Sequence, residues 1–363
     1  LNKMMKYFGP LYLWISVLSV QMVACQTKPE LKHYHDVQEA NKSPKKVGGL
    51  TLKGSTIKKF PEDVLQYKNL EELNIFDTHI QAIPEHLIKL CSIKYISIAN
   101  NQLKRLPQNI GQLLQLKSLN IEEKQLEAIP PSIGDLINLQ TLSINRLSLT
   151  PTAVFKEIPK EIGKLKKLKN LSISGTQLTT LPRSLGKLPA LENLLIGESK
   201  LQQLPATLNQ LSRLTMLKLV NCPQLEVVSA LNTISQITSL EHLYFYFIPL
   251  QTIPEFFTHL NKLQTLTITS DSLQGFPKVI CQLPQLETLA LTGKNIGQIP
   301  PEIAQLKSLT RLNIYTKGQA LEVPQEIQQL KQLQVLRLDS KALSTPQKAQ
   351  LEKWLPNTKI IYE

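Results

Sequence analysis

Cysteine is scarce in this chain. Four in 363 residues are far too few for a scaffold held by disulfides, so the core has to come from apolar packing. Aromatic residues are also scarce, at 6%, so a cluster of them carries information. The chain contains no Gly-x-x-x-x-Gly-Lys-Ser/Thr, no Gly-x-Gly-x-x-Gly, no His-Glu-x-x-His and no Gly-x-Ser-x-Gly. The common phosphate-cradling, zinc-protease and hydrolase chemistries therefore have no sequence support, and neither an enzyme nor a cofactor is expected. The one apolar stretch near the N-terminus falls short of about 18 clean residues, which makes a permanent spanning helix its weaker reading. The overall make-up, 42% hydrophobic and 19% charged, is that of an ordered globular chain.

The apolar stretch has the layout of a secretory signal peptide over residues 1–24. Lys3 and Lys6 form a basic start, Tyr7 to Val20 an apolar run, and Gln21-Met22-Val23-Ala24 closes it before Cys25. The segment Met22-Val23-Ala24-Cys25 resembles the lipobox of bacterial lipoproteins. Ala24 and Cys25 match, whereas Met22 stands where that family usually has Leu. The resemblance implies acylation of Cys25 and a chain anchored to a membrane through its N-terminal lipid, in the cell envelope, facing outside the cytoplasm. Ordinary cleavage and an uncleaved anchor are the alternatives that Met22 leaves open. Residues 25–46 are polar and lysine-rich and read as a tether and N-terminal cap, with Asp36 as the N-cap of a short helix. Within that segment His33 and His35 lack further ligands at metal spacing, so they read as part of a solvated linker and no metal site is expected.

From Val47 onward leucine-type residues recur in a fixed frame. Leu70, Leu73, Ile75, Ile80, Ile83-Pro84, Leu87 and Leu90 are followed 23 residues later by Ile93, Ile96, Ile98, Leu103, Leu106-Pro107, Ile110 and Leu113. Twelve repeats fill residues 47–332; nine are 23 residues long and the others 29, 26 and 24. Residues 333–363 make a terminal partial repeat and C-terminal cap, with a helix over Pro346–Leu355 and a last strand over 359–362. In each repeat an alternating pair such as Leu171 and Ile173 has the period of a short strand with one buried face. A stretch such as Leu181-Pro182-x-x-Leu185-x-x-Leu188 then switches to helical spacing, its proline suited to the first helical position. No unit can bury its apolar face alone, so neighbours must stack.

This pattern resembles the leucine-rich repeat family in its 23-residue form, the type found in Ras-group and Scribble-like scaffolds and their bacterial relatives. The fold it implies is an α/β solenoid: a horseshoe with a parallel sheet on the concave side and short helical turns on the convex side. The family's inter-coil asparagine is present as Asn only at Asn101. Ser55, Thr78, Thr176, Ser199, Cys222 and Asp271 are short polar substitutes. Lys124, Leu147, Ile248, Lys294, Lys317 and Lys341 leave backbone groups to find other partners. Cys91, Cys222 and Cys281 fall on different sides of the coil, so all three are expected to be free.

Strand positions 3, 5 and 7 point to the concave face. Over repeats four to six they are small and polar. At repeat nine they become His242, Tyr244 and Tyr246, followed by Phe247, with Met216 and Val220 on one side and Arg311 and Tyr315 three strands further along. Aromatics standing on such a face cost solvation unless they are used, so these eight residues are the candidate partner-binding set. The length of the sheet suits a protein or other extended polymer better than a small metabolite. The net charge of +13 is concentrated in Lys156, Lys160, Lys164, Lys166, Lys167 and Lys169, away from that face, and reads as a solvated flank. Nucleic acid is not an expected partner of an exported protein. An intracellular Ras-group-like scaffold is the alternative if residues 1–24 are not a signal peptide. The six extra residues of repeat five form a loop at the sheet edge, Thr150 to Phe155, with Phe155 a secondary contact or a core anchor.

Overall fold

A computed structural model of the chain describes residues 30–145 and 155–363. The expected signal segment, Cys25, Leu147 and residues 150–154 of the expected loop lie outside the described residues.

Among the described residues fifteen strands, β1 (Lys32–Tyr34) to β15 (Lys359–Tyr362), form a single parallel sheet whose spatial order is the order of the sequence. The residues of β3 (Glu72–Phe76) alternate between half-buried and fully buried, as one-sided burial demands, and the same alternation recurs along the sheet. The buried positions, together with the leucines of the turns, make one continuous apolar core along the solenoid. Phe155, left open between contact and anchor by the sequence, is an anchor, 2% exposed.

Among the described residues most coils pass through one turn of 3-10 helix between strands. The recurrent proline sits one position earlier than its helix propensity suggests. Pro61, Pro159 and Pro254 are N-caps in extended backbone, with φ between −63° and −77°, and each turn's first hydrogen bond runs to the proline carbonyl, as from Val64 N to Pro61 O (3.1 Å). Proline suits the slot because its φ is already set and its missing N–H is not needed there.

Two expectations about the ends and seams of the coils change. His33, read as part of a solvated linker, belongs to the folded N-terminal cap. His33 lies in β1, which pairs with β2 (Val47–Lys53), and its Nε2 shares a hydrogen bond of 2.8 Å with Thr51 Oγ1. The cap holds because Gly49 has no side chain: a Cβ there would stand 2.2 Å from the His33 ring. Asp36 Oδ1 accepts from the amides of Gln38 and Glu39 at the start of α1 (Val37–Asn41). Lys124 and Lys317, the wrong chemistry for the inter-coil position, are bypassed by their predecessors. Glu123, 2% exposed, accepts from Asn101 N and Nδ2 and from Leu103 N at 2.7–3.3 Å, and the buried Thr316 donates to Gln319 O. Likewise Ser270 takes the inward place assigned to Asp271, which is exposed and pairs with Lys317. One residue earlier in the turn points the side chain into the coil.

At the C-terminus α3 (Thr345–Trp354) begins with the Gln347 carboxamide accepting from Ser344 N, and β15 closes the sheet. Repeat eight departs from the periodic pattern. Its convex segment is a true α-helix, α2 (Val227–Ser235), which packs between the turns of the coils on either side. Cys91, Cys222 and Cys281 are free.

Candidate functional site

Among the described residues no group of three or more His, Cys, Asp or Glu side chains could hold a metal ion. The structure leads instead to the concave surface between β9 (Met216–Val220) and β11 (Thr265–Thr269), with β10 (His242–Tyr246) at its centre. Parallel register sets Tyr244 between Lys218 and Thr267, Tyr246 between Val220 and Thr269, and His242 between Met216 and Thr265. Leu243 and Phe245 point the other way, into the core.

The rings do not stand free in water. Tyr244 and Tyr246 are half-buried and stacked, their centroids 6.2 Å apart and planes 10° from parallel. Burial raises the phenol pKa of Tyr244, and burial followed by the neighbouring Tyr244 pushes that of Tyr246 up to about 12. Val220 is a second correction. Expected on the open face, it is only 5% exposed, set in register between Gly197 and Tyr246. Phe247 follows β10 in a left-handed backbone conformation, φ 55°. Equivalent turns place Asp77, Asn100, Asn221 and Glu198 in that conformation, and Asp and Asn tolerate it better than an aromatic does. Arg311 and Tyr315 lie on β13 (Arg311–Tyr315), three strands from β10, and are not brought into the cluster.

The residue that sequence reasoning passed over is Lys218. Its ammonium lies 4.7 Å from the centroid of the Tyr244 ring, no carboxylate among the described residues is within ion-pair distance, and burial lowers its pKa. The signal was available: strand position 5 of repeat eight is a lysine beside a tyrosine across one strand spacing. The buried Nδ1 of His242 also has no hydrogen-bond partner. The site therefore offers a half-buried cation, two stacked rings and an unused imidazole nitrogen.

Neighbouring strands behave differently. On β6 (Thr141–Asn145), β7 (Asn170–Ser174) and β8 (Asn193–Gly197) the polar side chains satisfy one another. Asn145 Nδ2 donates to Ser143 (2.8 Å), Ser172 donates to Asn145 (3.1 Å) and Asn193 donates to Asn170 (2.7 Å). Three of the lysines read as a solvated flank also bond across coils at the surface: Lys164 pairs with Asp135 and Lys169 with Glu192, each at 3.3 Å, while Lys167 donates to Asn138.

Comparison with known proteins agrees with this architecture. The model of the leucine-rich repeat region matches residues 146–248 and 216–361, well over half of the chain, and the chain belongs to the leucine-rich repeat family. Among solved structures it is similar to a leucine-rich-repeat protein of Leptospira interrogans, at 27% identity and TM-score 0.60, over 91% of this chain and 100% of that one. It also shares the fold of the plant peptide hormone receptor RGFR1 in complex with RGF2 (24% identity, TM-score 0.57, 81% of this chain and 53% of that one). An internalin, inlF, of Listeria monocytogenes is a third fold relative (16% identity, TM-score 0.52, 88% and 92%). No curated protein matches the chain.

Proposed function

We propose that this is a recognition protein that binds a protein or extended polymer on its concave face, with Lys218, His242, Tyr244 and Tyr246 at the centre of the contact. The observation that carries this reading is Lys218: a half-buried amine set against the Tyr244 ring with no anion beside it, on a surface whose neighbours have satisfied themselves. Such a group is costly in the free protein and becomes favourable when a partner supplies the missing charge. The aromatic surroundings are the composition of a binding hot spot. The receptor of the same fold is a peptide receptor by its own description, which supports the reading by fold analogy alone.

The test is capture of partners from the native envelope by the wild-type chain and by the double variant Tyr244→Ala, Tyr246→Ala. Neither ring fills the core, so the melting temperature should move little. Affinity for the captured partner should fall by about 2 kcal/mol, roughly thirtyfold. Unchanged affinity with a large loss of stability would make the rings structural.

The same proposal includes the address. The 23-residue frame is similar to the Ras-group type, but the Lys3–Cys25 segment supports export and lipid attachment at Cys25, in the cell envelope with the solenoid outside the cytoplasm. Cys25→Ser should move the protein from the detergent phase to the aqueous phase; retention would mean that residues 1–24 are themselves the anchor.

A further inference from the structure

The concave face carries a second half-buried charge without an ion-pair partner, of opposite sign. Glu122 closes β5 (Ser118–Glu122), is half-buried, and has its pKa raised by burial. It lies beside Ala99 and Asn145 in the sheet register, and no cation among the described residues pairs with it. Most other carboxylates on this face are already engaged. Glu72 accepts from Asn74 (2.7 Å), and Glu363 pairs with Arg337 (3.7 Å). From β5 to β9 is four strand spacings, which with the offset of two positions along the strand separates Glu122 from Lys218 by about 20 Å. Between them lie the short side chains of Ser143, Ser172 and Ser174 and the bare Gly197, where a Cβ would stand 3.0 Å from Ser174 Oγ, with Asn145 beside Glu122 and the half-buried Leu195 beside Lys218 as the larger groups along the way.

We propose that this trough takes an extended peptide segment laid across the strands in one polarity, with an acidic side chain at Lys218 and a lysine or arginine at Glu122. At about 3.3 Å per residue the two groups stand roughly six residues apart in the ligand. The opposed signs select the ligand class. A polyanion such as a nucleic acid or an acidic glycan satisfies Lys218 but drives its own charge against Glu122, whereas a peptide carries both signs at adjustable spacing. The bound segment replaces the water that each group has lost, and reversing its charges places like against like at both ends. The inference rests on the proposed recognition role of this face and adds the chemistry and direction of the ligand.

The experiment selects binders to the full chain from a random dodecapeptide library. It then measures the affinity of the selected sequences for the wild type and for Lys218→Met, Lys218→Arg, Glu122→Gln and the double tyrosine variant. Selected peptides should share an acidic residue and a basic residue five to seven positions apart in one fixed order. Lys218→Met should weaken them at least tenfold and abolish the acidic preference, Lys218→Arg should retain it, and Glu122→Gln should abolish the basic preference, all with thermal melts close to wild type. Peptides that depend on the tyrosines but show no charge order, or bind the two charge variants as well as the wild type, overturn this inference and leave the recognition role standing. A library that yields no binders overturns this inference alone, whereas binders indifferent to the tyrosine change overturn both.

Discussion

Strands β6–β8 and strands β9–β10 share a backbone, a register and a buried leucine lattice, yet their concave surfaces are opposites. On β6–β8 small polar side chains donate to one another along and across strands, so the surface is complete in the absence of a ligand. On β9–β10 larger groups leave a cation, an imidazole nitrogen and two ring faces partly withdrawn from water, and the turn that follows holds Phe247 in a conformation better suited to asparagine. The lattice beneath supplies the stability in both regions. What differs is whether the outward positions bond to one another; under the proposed recognition role, those of β9–β10 are left for a partner.

The comparison breaks most sharply where a polar group belongs to the lattice itself. Asn101 is 7% exposed, accepts from Thr78 N, donates to Ile75 O and donates to Glu123. Asn101→Leu removes one of the three donors to the buried Glu123 carboxylate and leaves Thr78 N and Ile75 O without their partner, and should cost about 3 kcal/mol in urea unfolding, against less than about 1 kcal/mol for Tyr244→Ala. Equal losses would erase the distinction between lattice and surface.

A smaller effect of opposite sign is expected at the turn after β10. Phe247→Asn should stabilise the chain by about 1 kcal/mol through relief of the left-handed phenylalanine, while Asn100→Phe should cost a similar amount. If Phe247→Asn destabilises, packing of that ring outweighs its backbone strain. Should it stabilise the fold and weaken partner binding, the strain is retained for function.

The smallest effect concerns pH. The Glu122 carboxyl titrates above its ordinary value near 4.5 because burial disfavours the charge. Between 4.5 and the raised folded value the native state binds more protons than the unfolded chain, so stability attributable to this group falls as pH rises through that window. Wild type should therefore gain on Glu122→Gln as the pH is lowered toward 4.5 and keep that gain below it. A gap that stays constant in pH-dependent melts would mean that Glu122 is not desolvated, and would remove one end of the proposed trough.

The recurrence of Leu, Ile and Pro at 23-residue intervals determined the fold from sequence alone, because each coil buries the same positions against identical neighbours and a periodic chain has few other ways to hide them. The strand phase likewise told that His242, Tyr244 and Tyr246 share the concave face. Tertiary structure decided what periodicity does not encode. Which of two successive turn residues points inward, Glu123 or Lys124, depends on the exact path of the turn. The cap around His33 depends on a glycine in the next strand, and α2 on three added residues that find room between two turns. Val220 is covered because its neighbours across the sheet are a glycine on one side and a tyrosine on the other. The charges at Lys218 and Glu122 acquire meaning only when distance to every other strand is known, since an unpaired charge is defined by the partners that fail to reach it, and those lie in other repeats.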